Sequence, residues 1–357
     1  MRSNVKGFVK KIDIKSLKSL GRPVAAIIIS FIIGAILMSL AGYSPSLAFK
    51  ALFDSSFKNP RAFANALVAA TPLLFTGIAV AFAFKGSVFN IGAEGQFLVG
   101  AIAATWIGVS FGDLPRFVLI SLVIIAGAIA GAIWGIIPGY LKARHNVSEV
   151  ITTIMLNYIA LRLIGYLVKG PLQAPGSTSP QSAQIADSAI LSILWPKTQL
   201  HMGYLIGIVI AIVVYIILFK TYWGYEIRAV GFNPIAAEYN GINVNWKIVS
   251  TLAISGAIAG IGGAIQISGV AYRLYEAFSP GYGYTAIAVS MLVNNNPIGV
   301  IFSSLLFGIL NCGASAMQRT ANVSAVFVAI FQGIIILSIA ASAVSNGRKK
   351  TKLKKMS

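Results

Sequence analysis

The amino-acid sequence predicts an all-α polytopic membrane protein, and its composition is the first reason. Of the 357 residues, 57% are hydrophobic and 10% are charged, and the mean hydropathy is +0.82. Water-soluble domains carry about 25% charged residues. Several apolar runs also reach the roughly 20 residues that a helix needs to cross a bilayer. These observations exclude a soluble domain.

Ten apolar runs follow one another and define a transmembrane domain over residues 24–344. Each run predicts a helix, although the eighth is too short to cross the bilayer alone. Ten segments place both termini on one side, so residues 1–23 and 345–357 are expected to be basic cytoplasmic tails. The runs cover residues 24–42, 62–84, 94–112, 116–140, 148–168, 202–219, 248–271, 281–293, 298–317 and 322–344.

The basic residues favour an arrangement with both termini in the cytoplasm. Most of the 28 Lys and Arg residues then lie inside, including Lys142 and Lys220 in short loops, as the positive-inside rule requires. This distribution accounts for the net charge of +19 without nucleic-acid binding. The basic lead is too long for a secretion signal, so we expect the first run to be a retained span.

Two external loops are expected to be more than short turns. Residues 43–61 mix aromatic and polar side chains and predict an interfacial helix. Residues 169–201 are rich in Pro, Ser and Gln and predict an extended loop. That loop either connects two spans or forms part of a surface for a substrate-delivering protein.

Polar interruptions are predicted at membrane depth, at residues 85–95 and 281–297. Non-helical backbone is tolerated there only where protein or water satisfies it, and interrupted spans often line transport sites. Amides and aromatic rings near these breaks suit a neutral solute with a flat base. The candidate pathway residues are Phe89, Asn90, Glu94, Gln96, Asn157, Tyr158 and Asn294.

Each pathway candidate also has a structural interpretation. The amides can hold helices together instead of binding a solute. Glu94 can cap a helix or pair with Lys85, and Glu149 is interpreted as a helix-start residue. Arg162 shares a helix face with Tyr158 and is expected to extend outward to the membrane surface.

The sequence contains no motif for enzyme chemistry. It lacks G-x-x-x-x-G-K-[ST], so the chain does not bind ATP through a P-loop. His145, His201 and the single Cys312 are far apart in the sequence, which predicts neither a metal site nor a disulfide. We expect a chain that is not an enzyme and holds no cofactor of its own.

A polar segment over residues 222–246 separates two long apolar runs and predicts a short helix from Pro234 to Glu238. Asn233 suits the N-cap, Pro234 the first helical position and Gly241 the stop. The segment is too polar to enter lipid. It is either an ordinary surface loop or a docking element for a soluble partner.

Two motifs carry a family resemblance. The pattern R-A-x-G-x-N-x-x-A-A-x-x-x-G-I over residues 228–242 resembles the cytoplasmic coupling segment of ABC-transporter permeases of the branched-chain amino acid, simple sugar and nucleoside group. The stretch G-S-V-F-N-I-G-A-E-G-Q over residues 86–96 is similar to the form in nucleoside-type permeases. The resemblance covers most of the chain, from the first span to the last.

The resemblance implies an ABC-importer permease fold in the cell membrane and a translocation pathway for nucleosides, with purine nucleosides such as guanosine expected. It implies an ATP-binding partner subunit with two nucleotide domains, which would hold ATP and Mg. It also implies a second permease, identical or homologous, and an external substrate-binding lipoprotein. The coupling contacts are expected at Arg228, Gly231, Asn233, Ala236, Ala237, Glu238 and Gly241.

Two alternatives stay open. Within the same family, simple sugars or branched-chain amino acids compete with nucleosides as the transported solute. Outside the family, an ion-coupled secondary transporter would use Glu94 and Glu149 as its coupling acids.

Overall fold

The computed structural model describes residues 28–324, 326–334 and 337–338. The expectations for the tails, residues 1–23 and 345–357, lie outside this part of the chain. Residues 326–334 are helical. The helices before them are α1 (Ile28–Leu40), α2 (Pro45–Phe57), α3 (Pro60–Lys85), α4 (Ala93–Ser110), α5 (Arg116–His145), α6 (Glu149–Lys169), a 3₁₀ turn (Asp187–Ala189), α7 (Gly203–Lys220), α8 (Tyr222–Phe232), α9 (Pro234–Tyr239), α10 (Val244–Gln266) with a π-helical extension (Ile267–Ala271), α11 (Tyr282–Leu292) and α12 (Pro297–Thr320).

The fold class is confirmed. Among the described residues, six helices are long and apolar enough to cross a membrane: α3, α5, α6, α7, α10 with its extension, and α12. The helices α1 and α11 are apolar but shorter. The chain is therefore a multi-pass membrane protein, while ten segments and the side on which the termini lie stay predictions.

Both predicted interruptions are present. The chain is non-helical between α3 and α4, and α11 is a short helix that ends before the turn at residues 293–296. Asn294 and Asn295 adopt positive φ angles of 53° and 56°, a conformation that Asn tolerates better than most residues. The predicted helix within residues 43–61 is also present, as α2.

The contacts divide the chain into two compact units, residues 50–316 and a terminal unit whose described residues are 28–49, 317–324, 326–334 and 337–338. In the described part of the terminal unit, Phe31 packs against Phe49 and Phe331, with ring centroids 5.1 and 5.3 Å apart. Gly34 leaves room for the Phe331 ring.

The larger unit, residues 50–316, is built around α5 and α10. The glycines of α5 face the glycines of α10 so closely that a Cβ added to Gly256 would fall on the carbonyl oxygen of Gly131. A Cβ on Gly260 would fall on the carbonyl oxygen of Gly127. Small residues at four-residue spacing therefore let these backbones touch, as in other membrane helix pairs.

The ends of the helices in this unit are named by charge. The end that carries Lys85, Lys142 and Lys220 is called the inner end, because the positive-inside rule predicts that these residues are cytoplasmic. The opposite, outer end is covered by residues 170–202. This segment is more ordered than the predicted extended loop, because the backbone N–H of Ser182 donates to Leu274 and that of Leu191 donates to Ser268.

Candidate functional site

The polar segment between α7 and α10 folds into the helices α8 and α9. The Oδ1 atom of Asn233 accepts a hydrogen bond from the backbone N–H of Ala236 at 3.1 Å, and Pro234 occupies the first turn. After α9 the chain turns at Gly241, whose φ of +79° suits glycine. The predicted helix is confirmed and ends one residue later than expected, at Tyr239.

The helix α9 rests on a small apolar base and leaves large side chains exposed. Ala237 is buried with Val230 of α8 and Ile242. In contrast, Phe232 is 88% exposed and Tyr239 is 89% exposed. Large apolar side chains grouped on a polar segment typically mark a surface for another protein.

The helix α8 is braced against the inner end of α3. A Cβ added to Gly231 would lie 2.5 Å from the carbonyl oxygen of Lys85. The Nζ atom of Lys85 in turn donates to the carbonyl oxygen of Asn294 at 2.9 Å, just beyond the end of α11. A continuous set of contacts thus links α8 to α11.

A buried ion pair joins α8 to α10. The Nζ atom of Lys247 lies 2.6 Å from Oε2 of Glu226, and it also lies over the Trp223 ring at 5.0 Å. Sequence reasoning missed this pair, because the two residues belong to no motif and meet only when α8 folds back on α10. Breaking a buried pair leaves an uncompensated charge, so α8 and α10 should move together.

The predicted coupling residues divide by exposure. Ala237 is buried, and Arg228 and Gly231 are half-buried; the Cζ atom of Arg228 lies 5.2 Å from the centroid of the Phe219 ring. These three shape the segment. The exposed residues, to which a partner has access, are Asn233, Ala236, Glu238 and Gly241.

Asn90 and Gln96 form a buried amide pair at the first interruption. The Nδ2 atom of Asn90 donates to Oε1 of Gln96 at 2.8 Å and to Oγ of Ser255 at 2.7 Å. Ser255 of α10 donates to the carbonyl oxygen of Ala79 on α3 at 2.6 Å. These amides hold α3, α4 and α10 together, as their structural interpretation requires.

Glu94 and Asn157 connect the two interruptions. The Oε2 atom of Glu94 accepts a hydrogen bond from the backbone N–H of Gly283 at 2.6 Å, in the first turn of α11. Glu94 therefore caps the short helix rather than its own. Asn157 accepts from the N–H of Gly95 at 2.8 Å and donates to the Tyr284 hydroxyl at 3.2 Å.

The remaining pathway candidates are exposed. Tyr158 on α6 is 57% exposed, and Phe89 and Asn294 are also exposed. Tyr284, which the sequence analysis did not select, is 44% exposed and is linked to this group through Asn157. Its only sequence signal is its position at the start of the short apolar helix.

Glu149 is the first residue of α6, as expected of a helix-start residue, and it also forms an ion pair. Its Oε2 atom lies 2.6 Å from Nζ of Lys142, and its Oε1 accepts from the N–H of Phe89 at 3.4 Å. Within the described residues, no three His, Cys, Asp or Glu side chains are grouped so that they could hold a metal ion.

The family match and the individual relatives all indicate the same kind of protein, a transporter permease. The family described as "Branched-chain amino acid transport system / permease component" matches residues 62–340. The chain is 38% identical to a guanosine ABC transporter permease protein of Bacillus subtilis over 333 residues, which cover 92% of this chain and 95% of the relative.

Two other relatives are named for different substrates. A nucleoside ABC transporter permease protein of Lactococcus lactis is 37% identical over 306 residues, covering 83% of this chain and 84% of the relative. A glucose ABC transporter permease protein of Haloferax volcanii is 33% identical over 332 residues, covering 90% of this chain and 87% of the relative.

Proposed function

This chain belongs to the family of permease components named above, and from that premise we propose that it forms the translocation pathway of an ATP-driven importer of nucleosides. The observation that carries the proposal is the 38% identity to the guanosine permease over nearly the whole chain. Purine nucleosides such as guanosine are the proposed substrates, and the chain itself is a transport component, not an enzyme.

The proposed partners are those that the resemblance to ABC-importer permeases implies, and α9 offers an exposed surface to one of them. An ATP-binding subunit with two nucleotide domains, holding ATP and Mg, docks on α9 through Asn233, Ala236, Glu238 and Gly241. The exposed Phe232 and Tyr239 supply apolar area to that contact. A second permease and an external substrate-binding lipoprotein complete the importer.

The proposed mechanism transmits force through rigid contacts. Closure of the nucleotide domains displaces α9 and α8. Because Gly231 abuts the carbonyl of Lys85, and Lys85 holds Asn294, the displacement reaches α3 and the end of α11. A shift of packed helices of this kind switches access between the two sides of a membrane.

The proposal is favoured over ion coupling by the environment of the two candidate acids. Glu94 accepts a hydrogen bond from α11, and Glu149 is paired with Lys142. Both acids therefore have structural partners within the protein. No proton relay is required when the energy arrives mechanically.

The function is tested by uptake into proteoliposomes that contain the chain with its ATP-binding and permease partners and the substrate-binding protein. We expect guanosine uptake with ATP and no ion gradient. Uptake that needs a proton or sodium gradient and ignores ATP would instead indicate a secondary transporter. Preferential binding of ribose, glucose or leucine over guanosine and adenosine by the external protein would move the substrate to another class.

The orientation of α9 has its own test. In a variant with Cys312→Ser, thiols introduced by Glu238→Cys or Gly241→Cys should resist a membrane-impermeant reagent added to intact cells. They should react after the membrane is opened. Labelling from outside would exclude contact with a cytoplasmic ATPase.

A further inference from the structure

The helix α6 presents aromatic and charged side chains along one exposed face. Tyr158 and Arg162 are four residues apart and so lie on the same side of the helix. Within the described part of the chain, Arg162 has no hydrogen-bond or ion-pair partner. A charged side chain within a membrane span usually faces a partner or a water-filled cavity.

Arg162 lines such a cavity at the outer end. This outer cavity has a volume of about 640 Å³ and is formed by α6 residues from Leu161 to Gly170 together with Glu276, Ala277 and Ser279. Lys169 and Glu276 both line this cavity and form an ion pair, with 2.6 Å between Nζ and Oε1, so their charges cancel. The guanidinium of Arg162 is therefore the unbalanced charge of the cavity, and it disfavours cationic solutes.

A second cavity lies at the inner end, between the first interruption and α11. This inner cavity has a volume of about 340 Å³ and includes Phe89 of the first interruption, Ile287 and Met291 of α11, and Asn295. Ile287 and Met291 are four residues apart, so they form one face of α11. Successive parts of one segment thus line the two cavities, residues 276–279 the outer cavity and residues 287–295 the inner cavity.

Two tyrosines lie next to the cavities: Tyr284 falls between the residues of one segment that line them, 276–279 and 287–295, and Tyr158 is one turn of α6 from the outer cavity. Tyr158 precedes Leu161 by three residues on α6, and Tyr284 precedes Ile287 by three on α11, a rise of about 4.5 Å on each helix. Asn157, next to Tyr158, donates to the Tyr284 hydroxyl at 3.2 Å. Both rings keep a large exposed area, 57% for Tyr158 and 44% for Tyr284.

We propose that the two cavities form one groove, that the solute crosses along it between Tyr158 and Tyr284, and that Arg162 donates hydrogen bonds to the base of the solute. This rests on the proposed function and adds a specificity-determining residue to it. Arg has only donors, and it pairs with the carbonyl oxygen and ring nitrogen of a 6-oxopurine. A 6-aminopurine presents a donor at the carbonyl position. The groove therefore selects 6-oxopurine nucleosides, such as guanosine and inosine, over adenosine.

The first test uses Arg162→Gln in the assembled transporter, with uptake of guanosine, inosine and adenosine measured separately. We expect kcat/KM for guanosine and inosine to fall about tenfold, and that for adenosine to change less than twofold. Arg144→Gln, on the inner end of α5, is the matched control and should alter none of them. An equal change for all three nucleosides would overturn the role of Arg162.

The second test addresses the tyrosine pair. Tyr158→Leu should raise KM for all nucleosides, because it removes an aromatic face, whereas Tyr158→Phe should keep KM near its original value. Tyr140→Leu changes an exposed tyrosine outside the groove and serves as the control. Unchanged KM values for Tyr158→Leu would remove the pair from the pathway.

A third measurement separates this inference from the proposed function. In a Cys312→Ser background, the thiol introduced by Arg162→Cys should react with an impermeant reagent from outside, and guanosine should slow the reaction. If the unmodified transporter carried no nucleoside, the proposed function would fail, and this reaction would still report whether the groove holds water. A thiol that does not react would contradict the groove itself.

Discussion

Residues 222–246, which we propose couple the chain to an ATPase and call the coupling segment, and the interruption at residues 86–96 are both polar stretches between apolar spans. Their polar side chains serve different purposes. In the coupling segment, Asn233 bonds only to its own helix, and Glu238 is exposed. In the interruption, Asn90 and Gln96 are buried and bond to each other, and Asn90 reaches Ser255 on α10. The first stretch forms a local structure that others can contact, and the second joins distant helices.

This difference separates two kinds of importance. Substitutions in the interruption should act on the stability of the packed transmembrane helices, which we call the helical body, because the hydrogen bonds of the interruption cross between helices. Substitutions in the coupling segment should act on contact with a partner while the body stays folded. The following predictions test that separation, beginning with the largest expected effect.

The largest effect is expected from Gly256→Val, which is compared here with Gly241→Val in the coupling segment. In Gly256→Val the new side chain would collide with the backbone of Gly131, so we expect a loss of about 3 kcal/mol or more and little folded protein. In Gly241→Val no atom lies within 4 Å of the added Cβ, and only the positive φ causes strain, about 1–2 kcal/mol in the turn.

Thermal unfolding of the detergent-solubilised protein measures both changes. Ala257→Val, at the half-buried neighbouring position, controls for valine on α10. Equal destabilisation by Gly256→Val and Gly241→Val would contradict the separation between the body and the coupling segment.

Acid should weaken the body and not the coupling segment. His201, in the loop before α7, is buried, and burial lowers its pKa from 6.5 to about 4. The unfolded chain therefore binds a proton first, so the stability held above pH 6.5 declines as the pH falls towards 4, by about 3 kcal/mol.

The measurement is the melting temperature as a function of pH for the original protein and for His201→Gln, whose side chain cannot take up a proton. The difference in melting temperature between the original protein and His201→Gln should shrink or reverse as the pH falls from 6.5 to 4. A difference in melting temperature that does not change with pH would exclude His201 as the source of the acid-dependent loss of stability.

A smaller loss is expected from the buried amide pair. Gln96→Leu leaves Asn90 without one partner, which should cost about 1–2 kcal/mol. Combining it with Asn90→Leu should cost less than the sum of the single changes, because no unpaired amide then remains. Additive losses in a thermal unfolding cycle would mean that the pair does not act as a unit.

The smallest change in stability is expected at the coupling segment. Asn233→Ala removes the cap of α9 and should destabilise that helix by about 1 kcal/mol without changing the melting temperature of the body. ATP-driven uptake should fall, since the docking helix frays. Asn245→Ala, exposed at the start of α10, is the control; a body melting temperature that falls with Asn233→Ala would show that the segment is part of the core.

Much of the fold could be predicted from local patterns. The long apolar runs predicted the spans, and Asn233 and Pro234 predicted α9. The use of each polar residue could not be predicted in the same way. Glu94 caps α11, which begins almost 190 residues later, and no local signal identifies that partner.

The sequence by itself determined the membrane location, the family and the short coupling helix, because hydrophobicity, capping and motif residues act over a few neighbouring positions. Only the tertiary structure decided which polar groups are hydrogen-bonded within the protein and which remain exposed. Asn90 and Gln96 are satisfied across helices, whereas Arg162 and Tyr158 face open space. The physical reason is that the cost of a polar group in a membrane depends on its partner, and partners are brought together only by packing.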